Sequence, residues 1–258
     1  MAGLHRGLGT SPGGAPSSPA PAPAADDDRA AGAGPFAGRA PRLQRLGTSA
    51  VPVLSVDAIG PDPAEVRSLA AGLAPFAPAG LNYPGLRRMI APGEPAWDYV
   101  AALLEAAAPY LAGAFELDTF DCVEASFSIV TTPAAALAAV QRAPHFDSVD
   151  PRLFAVLHYL ADTPGTGFFR HRATGTEQVS AASVDRFVAA ARRETPPPGY
   201  VGGENAHYEM TGCVEGRAGR LVAYPARALH SGLIPAGFAG DSDPLSGRLT
   251  ANLFIRAR

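Results

Sequence analysis

The chain has 258 residues, with 21 Lys and Arg against 24 Asp and Glu, for a net charge of −3. That length suits one domain with a sizeable core, and the near-neutral balance leaves no basic footprint for nucleic acid. No apolar run approaches the roughly 20 residues of a membrane helix, the N-terminus lacks the apolar core of a secretory signal, and two cysteines are too few for a disulfide scaffold. The expectation is a cytoplasmic protein with neither nucleic-acid nor membrane partners. Cys122 and Cys213 fall in strand-like runs and read as small buried hydrophobes.

Residues 1–45 are dominated by Ala, Gly, Pro and Ser, with an acidic knot at Asp26-Asp27-Asp28. Such a composition buries too little apolar surface to offset the entropy of ordering, so it reads as a disordered tail. The folded domain is expected over 46–258, with its first strand at Val51–Val56. Asp62-Pro63-Ala64-Glu65 then carries a helix start: an N-cap acid, proline at the first helical position and Glu three residues on. Val66, Leu69, Ala70 and Leu73 give that helix one inward face. A Gly/Pro-rich connection through Tyr83-Pro84-Gly85 leads towards the mouth of a site. A second helix is expected from Ala96 to Ala108, where Pro109 breaks or kinks it. The N-terminal helices therefore lie within 62–113.

From Phe120 to Val130 the period changes to two. Val123, Ala125, Phe127 and Ile129 make an apolar face, and Cys122, Glu124, Ser126 and Ser128 a polar one that lines a pocket or meets solvent. Pro133 to Val140 is Ala-rich and reads as a helical turn or a lid. Leu153–Leu160 reads as a strand. Arg170-His171-Arg172 reads as a loop, with His171 solvated or facing substrate; His158, next to Tyr159, points to the opposite side of its strand, as a core or surface histidine. A third helix spans 183–193, and a long irregular insert from Pro196 to about Met210 is the candidate substrate loop. Thr211–Glu215 and Arg220–Tyr224 read as a hairpin about Gly216–Gly219. A loop over Gly237–Gly247 precedes the closing strand, Arg248–Arg256.

The chemistry sits at two places. His145-x-Asp147, directly after a proline and ahead of a strand, can aim an imidazole and a carboxylate at one metal ion. His230, after the strand-like run Arg220–Tyr224, is placed to supply the third ligand. Two His and one carboxylate form the facial triad of non-haem Fe(II) oxygenases, which leaves three positions open for chemistry. By itself a His-x-Asp is a weak signal that chance also produces. On the closing strand, Arg248, Thr250 and Asn252 share one face, and Leu249, Ala251, Leu253 and Ile255 the other.

His-x-Asp, a strand ending in Tyr159-Leu160, the Gly165-Thr166-Gly167-Phe168 turn, a distal His and a basic residue on the last strand occur here in order. In that order and spacing the chain resembles the 2-oxoglutarate/Fe(II)-dependent dioxygenases, on their prolyl-4-hydroxylase-like branch, over roughly residues 120–258. The resemblance implies a mainly β fold with flanking α-helices, a double-stranded β-helix or jelly roll whose core spans 120–258. It implies Fe(II), 2-oxoglutarate and O2, with His145, Asp147 and His230 on the metal. Arg248 offers a fork of donors for the far carboxylate of 2-oxoglutarate; Tyr159 adds a hydroxyl by resemblance, and Thr250 a further one. The alternative for Arg248 is a surface ion pair with Asp241 or Asp243. The expected activity is hydroxylation of a small molecule or an amino-acid or peptide substrate, with release of succinate and CO2. Related halogenases replace the acid of the motif by a small residue, and here Asp147 is present. The same ligands also suit a zinc hydrolase, in which Arg248 and Tyr159 have no purpose. A non-catalytic metal- or ligand-binding jelly-roll module is the other alternative.

Overall fold

A computed structural model describes residues 40–258. The tail expected over 1–45 lies mostly outside the described residues, but its last part does not. Arg42–Leu46 forms strand β1, paired antiparallel to β2 (Val51–Val56). Strand β1 therefore falls within the stretch expected to be tail. The reason is that Leu46 packs inward on Val51 and Val53, giving the short strand an apolar anchor.

Helix α1 (Pro63–Gly72) starts as the sequence implies: the Asp62 carboxylate accepts from the backbone N–H groups of Ala64 and Glu65 at 2.8 and 3.3 Å. Two strands follow that composition concealed, β3 (Ala77–Pro78) and β4 (Gly85–Met89). Gly85 shows why this stretch reads as Gly/Pro-rich yet forms a strand. A Cβ there would run into the Ile129 carbonyl of β5 (Phe120–Val130), so only glycine permits the close pairing.

Helix α2 runs from Pro95 to Phe115, straight through Pro109. This corrects the expected end at Ala108. An interior proline costs about 3 kcal/mol or more, but Pro109 lies on the exposed side. The inner stripe of Leu103, Ala107 and Leu111 is fully buried, and a buried Leu contributes about 1.5–3 kcal/mol. Burial beyond the proline outweighs its cost.

The remaining elements are two 3-10 turns (Ala134–Ala136, Ala139–Arg142), β6 (Leu153–Tyr159), β7 (Thr163–His171), α3 (Val184–Ala191), β8 (Tyr208–Gly216), β9 (Leu221–Pro225), β10 (His230–Gly232) and β11 (Leu249–Ala257). One sheet has the order β1-β2-β9-β6-β11-β5-β4-β3 and the other β10-β7-β8. After β6 the chain takes β7 and β8 in the small sheet, β9 in the large, β10 in the small and β11 in the large. This winding is a double-stranded β-helix. The expected hairpin of Thr211–Glu215 with Arg220–Tyr224 is not formed. β8 pairs with β7, while β9 pairs with β2 and β6, and the short link between them crosses from one sheet to the other.

Three apolar layers result. Helices α1 and α2 cover the outer face of the large sheet over Phe127, Val156, Ala251 and Leu253. Between the sheets, Tyr159, Val222 and Tyr224 meet Phe168 and Val214. Phe169, turned the opposite way from Phe168, joins Phe187 of α3 outside the small sheet. The even alternation expected on β5 breaks at a bulge opposite Phe254 and Ile255. Cys122 consequently turns inward and Val123 is 48% exposed. Cys213 is also exposed, on β8, so neither cysteine is the fully buried hydrophobe expected. Among the described residues no helix is long and apolar enough to cross a membrane.

His158 takes the core role of its two alternatives. It is fully buried under α2 and shares a 2.9 Å hydrogen bond between its Nδ1 and the Tyr99 hydroxyl. Burial lowers its pKa to about 4. The fold thus prefers the neutral ring, and stability is complete above the ordinary value near 6.5 and falls as pH drops from there towards 4. The loss is on the order of 3 kcal/mol. Urea unfolding of wild type and His158→Gln across that window should show a shallower acid decline in the variant. Parallel declines would remove His158 from the account.

Candidate metal and carboxylate site

The three candidate metal ligands are brought together by backbone pairing before any side chain acts. His145 and His230 face each other in an antiparallel bridge, His145 N–H to His230 O at 2.9 Å and the reverse at 2.8 Å. The Asp147 N–H donates to Ala226 O at 2.8 Å, which seats the carboxylate beside both rings. Asp147 Oδ1 is 3.6 Å from His145 Nε2 and Oδ2 is 3.6 Å from His230 Nε2. One ligand atom from each residue lies within 4.8 Å of the others, and no other such cluster of three occurs among the described residues. His230 is buried; His145 and Asp147 open to the mouth.

The tautomer of His230 is set by its Nδ1–H, which donates to Ala228 O at 2.9 Å and leaves the Nε2 lone pair aimed at Asp147 and His145. The Tyr224 ring packs 4.7 Å from the His230 ring and limits its rotation. Desolvation, then the neighbouring His230, hold the His145 pKa below its ordinary value, against the pull of Asp147. A neutral imidazole is the form that ligates.

Deeper in the same cavity, of about 120 Å³, lie Tyr159, Thr250 and Arg248. Tyr159 and Thr250 are cross-strand partners on β6 and β11. The Tyr159 hydroxyl bonds Thr166 Oγ1 at 2.6 Å, and Thr166 pairs with Gly232 of β10. Gly232 passes directly under the Arg248 guanidinium, where a Cβ would lie 3.3 Å from Nη2. The Arg248 Nε is buried without an acceptor. No carboxylate pairs with Arg248 among the described residues, so the alternative pairing with Asp241 or Asp243 is not made. Asp241 and Asp243 instead accept from nearby loop groups, including Ser246 and the Leu245 N–H. Burial raises the Tyr159 pKa, with Thr166 and Arg248 opposing, so its hydroxyl stays protonated.

All six sequence candidates, His145, Asp147, His230, Arg248, Tyr159 and Thr250, therefore line one cavity. Two contributors were not singled out by pattern. Tyr83 has a buried hydroxyl with no partner, and Arg87 lies over the Tyr83 ring while pairing with Glu124 at 3.2 Å. The only hint was the Tyr83-Pro84-Gly85 connection. The β5 polar face meets this arginine: Ser128 and Glu124 both bind Arg87. His171 is not solvated and does not face this cavity. It ends β7, fully buried, with its ring nitrogens bonded to Thr174 and Glu194 at 2.8 and 2.9 Å.

A family model described as a family of unknown function (DUF6445) matches residues 38–255. The chain belongs to DUF6445. No curated protein matches this DUF6445 chain in sequence. Solved structures similar to it include a Pseudomonas putida prolyl-4-hydroxylase, 20% identical, covering 86% of this chain and 95% of that one, with a TM-score of 0.42. HygX from Streptomyces hygroscopicus, with nickel and 2-oxoglutarate bound, is 13% identical over 80% of this chain and 82% of that one, with a TM-score of 0.47. SnoN, a non-haem α-ketoglutarate-dependent epimerase from nogalamycin biosynthesis, is 17% identical over 83% and 78%, with a TM-score of 0.46.

Proposed function

We propose that this protein is an Fe(II)- and 2-oxoglutarate-dependent oxygenase that hydroxylates a small molecule or an amino-acid or peptide substrate. The observation that carries the reading is one cavity holding both a His-Asp-His cluster and a buried arginine without a counter-ion. The donor set fits the metal: two neutral imidazoles and one carboxylate on one side of an ion leave the opposite side free. The inner end fits a carboxylate. Arg248 brings a planar fork of donors, and the protonated hydroxyls of Tyr159, Thr250 and Tyr83 surround it. Burying such a charge unpaired is costly, which is the expected state of a site built to receive an anion.

Iron with 2-oxoglutarate supplies the oxidation when bound: O2 and the oxoacid yield succinate, CO2 and one oxygen atom inserted into a substrate C–H bond. The chain's own part is positional. His230, locked through Ala228, and His145, fixed by the bridge, present nitrogen lone pairs. Asp147 contributes the negative charge that a halogenase gives up. Arg248 orients the oxoacid from its far end, and the two sheets exclude water around it.

The test is spectroscopic. Full-length protein given Fe(II) and 2-oxoglutarate without oxygen should develop a weak visible charge-transfer band. Asp147→Ala and His230→Ala should lose it while retaining the far-ultraviolet circular dichroism of the wild type, since the backbone bonds of His230 to His145 and of Asp147 to Ala226 do not depend on the side chains. Wild-type protein that binds iron but shows no band would favour a metal-binding jelly-roll module instead.

A further inference from the structure

A second cavity, of about 340 Å³, opens between the loop after α3 and the 3-10 turn that ends at Arg142. Its polar lining sets the Arg142 guanidinium and the Asn205 amide beside one carboxylate, Glu204. Part of its acceptor capacity is taken up within the loop: Glu204 Oε2 holds Arg172 Nη2 at 3.1 Å, and Asn205 Oδ1 accepts from the N–H groups of His207 and Tyr208 at 2.8 and 3.0 Å. The Tyr200 hydroxyl is spent on Thr132 O at 2.6 Å. The side-chain donors left without a partner are the Asn205 amide NH2 and the Arg142 guanidinium. Arg142 Nε is buried with no acceptor, and no ion pair among the described residues includes Arg142.

This cavity flanks the metal ligands on both sides. From Arg142 the chain runs extended through Ala143 (φ −128°, ψ 150°) to His145, a span of at most about 11 Å between Cα atoms. On the other side Val201 O accepts from the N–H of Ile234, just beyond β10 and His230, at 3.2 Å. Tyr200, in the cavity wall, is within electrostatic reach of Tyr83 and Arg248 of the first cavity.

We propose that this second cavity binds a carboxylate of the substrate, with Arg142 as its anchor and the Asn205 amide as a second donor. The substrate is then a small anionic molecule that carries its carboxylate at a distance from the oxidised C–H. The assignment rests on the oxygenase reading of the first cavity. Carboxylate is chosen over phosphate because one planar fork and one amide match two coplanar oxygens, whereas a phosphate presents more oxygens than these donors satisfy. Arg142 acts on specificity and not on the oxoacid, which has its own arginine.

The experiment is calorimetric titration of the Fe(II) protein, saturated with 2-oxoglutarate under nitrogen, with N-acetyl amino acids, their carboxamides and inorganic phosphate. Acids should bind roughly tenfold or more tighter than the matching amides. Arg142→Gln should erase that preference and Arg142→Lys restore part of it, with the visible band of the bound oxoacid kept in both. Equal binding of acids and amides, acid binding untouched by Arg142→Gln, no binding across the series, or phosphate outcompeting every acid each overturns the proposal. Loss of the band already in wild type would strike the oxygenase reading instead. An acid preference dependent on Arg142 would still be measurable in that protein.

Discussion

Replacing Arg248 by Leu should weaken 2-oxoglutarate binding by roughly 30- to 1000-fold, the equivalent of about 2–4 kcal/mol. Iron binding should change little, because Arg248 lies on β11 and the three candidate metal ligands come from the Ala143–Asp147 segment and β10. The magnitude follows from what leucine removes: a charge-assisted, two-point pair in a place where water cannot substitute. Its effect on the empty protein has the opposite sign. Arg248 Nε is buried and unpartnered, so leucine relieves a desolvation cost and should leave the melting temperature equal or higher. Arg248→Lys keeps the charge without the fork and should recover part of the affinity. Titration of the anaerobic Fe(II) protein with the oxoacid decides it. Equal affinities in the three proteins would remove Arg248 as the carboxylate anchor, and with it the main reason to prefer an oxygenase over a zinc hydrolase.

Two of the three candidate metal ligands were legible because their geometry is local, whereas His230 was placed only by its position after the Arg220–Tyr224 run. His145 and Asp147 are two residues apart on an extended segment, so their side chains leave the chain on one side. Arg248 and Thr250 were legible for the same reason, through the period of two on β11. Tyr83 and Arg87 were not. They reach the cavity from β4 and the bend just before it; β4 joins the large sheet next to β5 near its end, and nothing within residues 80–90 reports which strand will be the neighbour. Arg142 was passed over because its character comes from what surrounds it. An arginine in a turn is ordinary until its Nε is found buried without an acceptor.

The errors share a cause as well. Pro109, Val123, His171 and the supposed β8–β9 hairpin were each read from local preference, and each was overridden by packing. The inner stripe of α2 carries the helix past Pro109, and the bulge opposite Phe254 reverses the faces of β5. His171 belongs to a strand because its N–H and side chain find partners in Thr176, Thr174 and Glu194. A turn-like Gly216–Gly219 suits a hairpin and a sheet-to-sheet crossing equally. Only the availability of β2 and β6 as partners for β9 sends the chain across.

Glu177→Gln should lower stability at neutral pH by about 3 kcal/mol, a fall in melting temperature of roughly 6–12 °C for a domain of this size. Glu177 is 2% exposed. Its carboxylate accepts from the N–H groups of Thr48 and Ser49 at 3.0 and 2.7 Å and pairs with Arg170 Nε at 2.7 Å. Burial pushes its pKa up, but the Ser49 and Thr48 N–H groups and Arg170 together outweigh that and hold it at about 2. A depressed carboxylate contributes fully above its unfolded value near 4.5, and that contribution drains away as pH falls towards 2. Gln keeps the shape without the charge, so its acid limb over that window should be flat where the wild type declines. The consequence reaches the metal. Leu229 N–H donates to Glu177 O at 2.8 Å, and Gln178 bridges to Ala228, whose carbonyl orients His230. Loosening Glu177 loosens the strand that aims a metal ligand. Iron affinity of Glu177→Gln should therefore fall by a few-fold to tenfold, within the range for groups that orient ligands without touching the metal. Unaltered melting with an unaltered acid limb would show that the Thr48–Ser49 turn and Arg170 hold this segment without help from the charge.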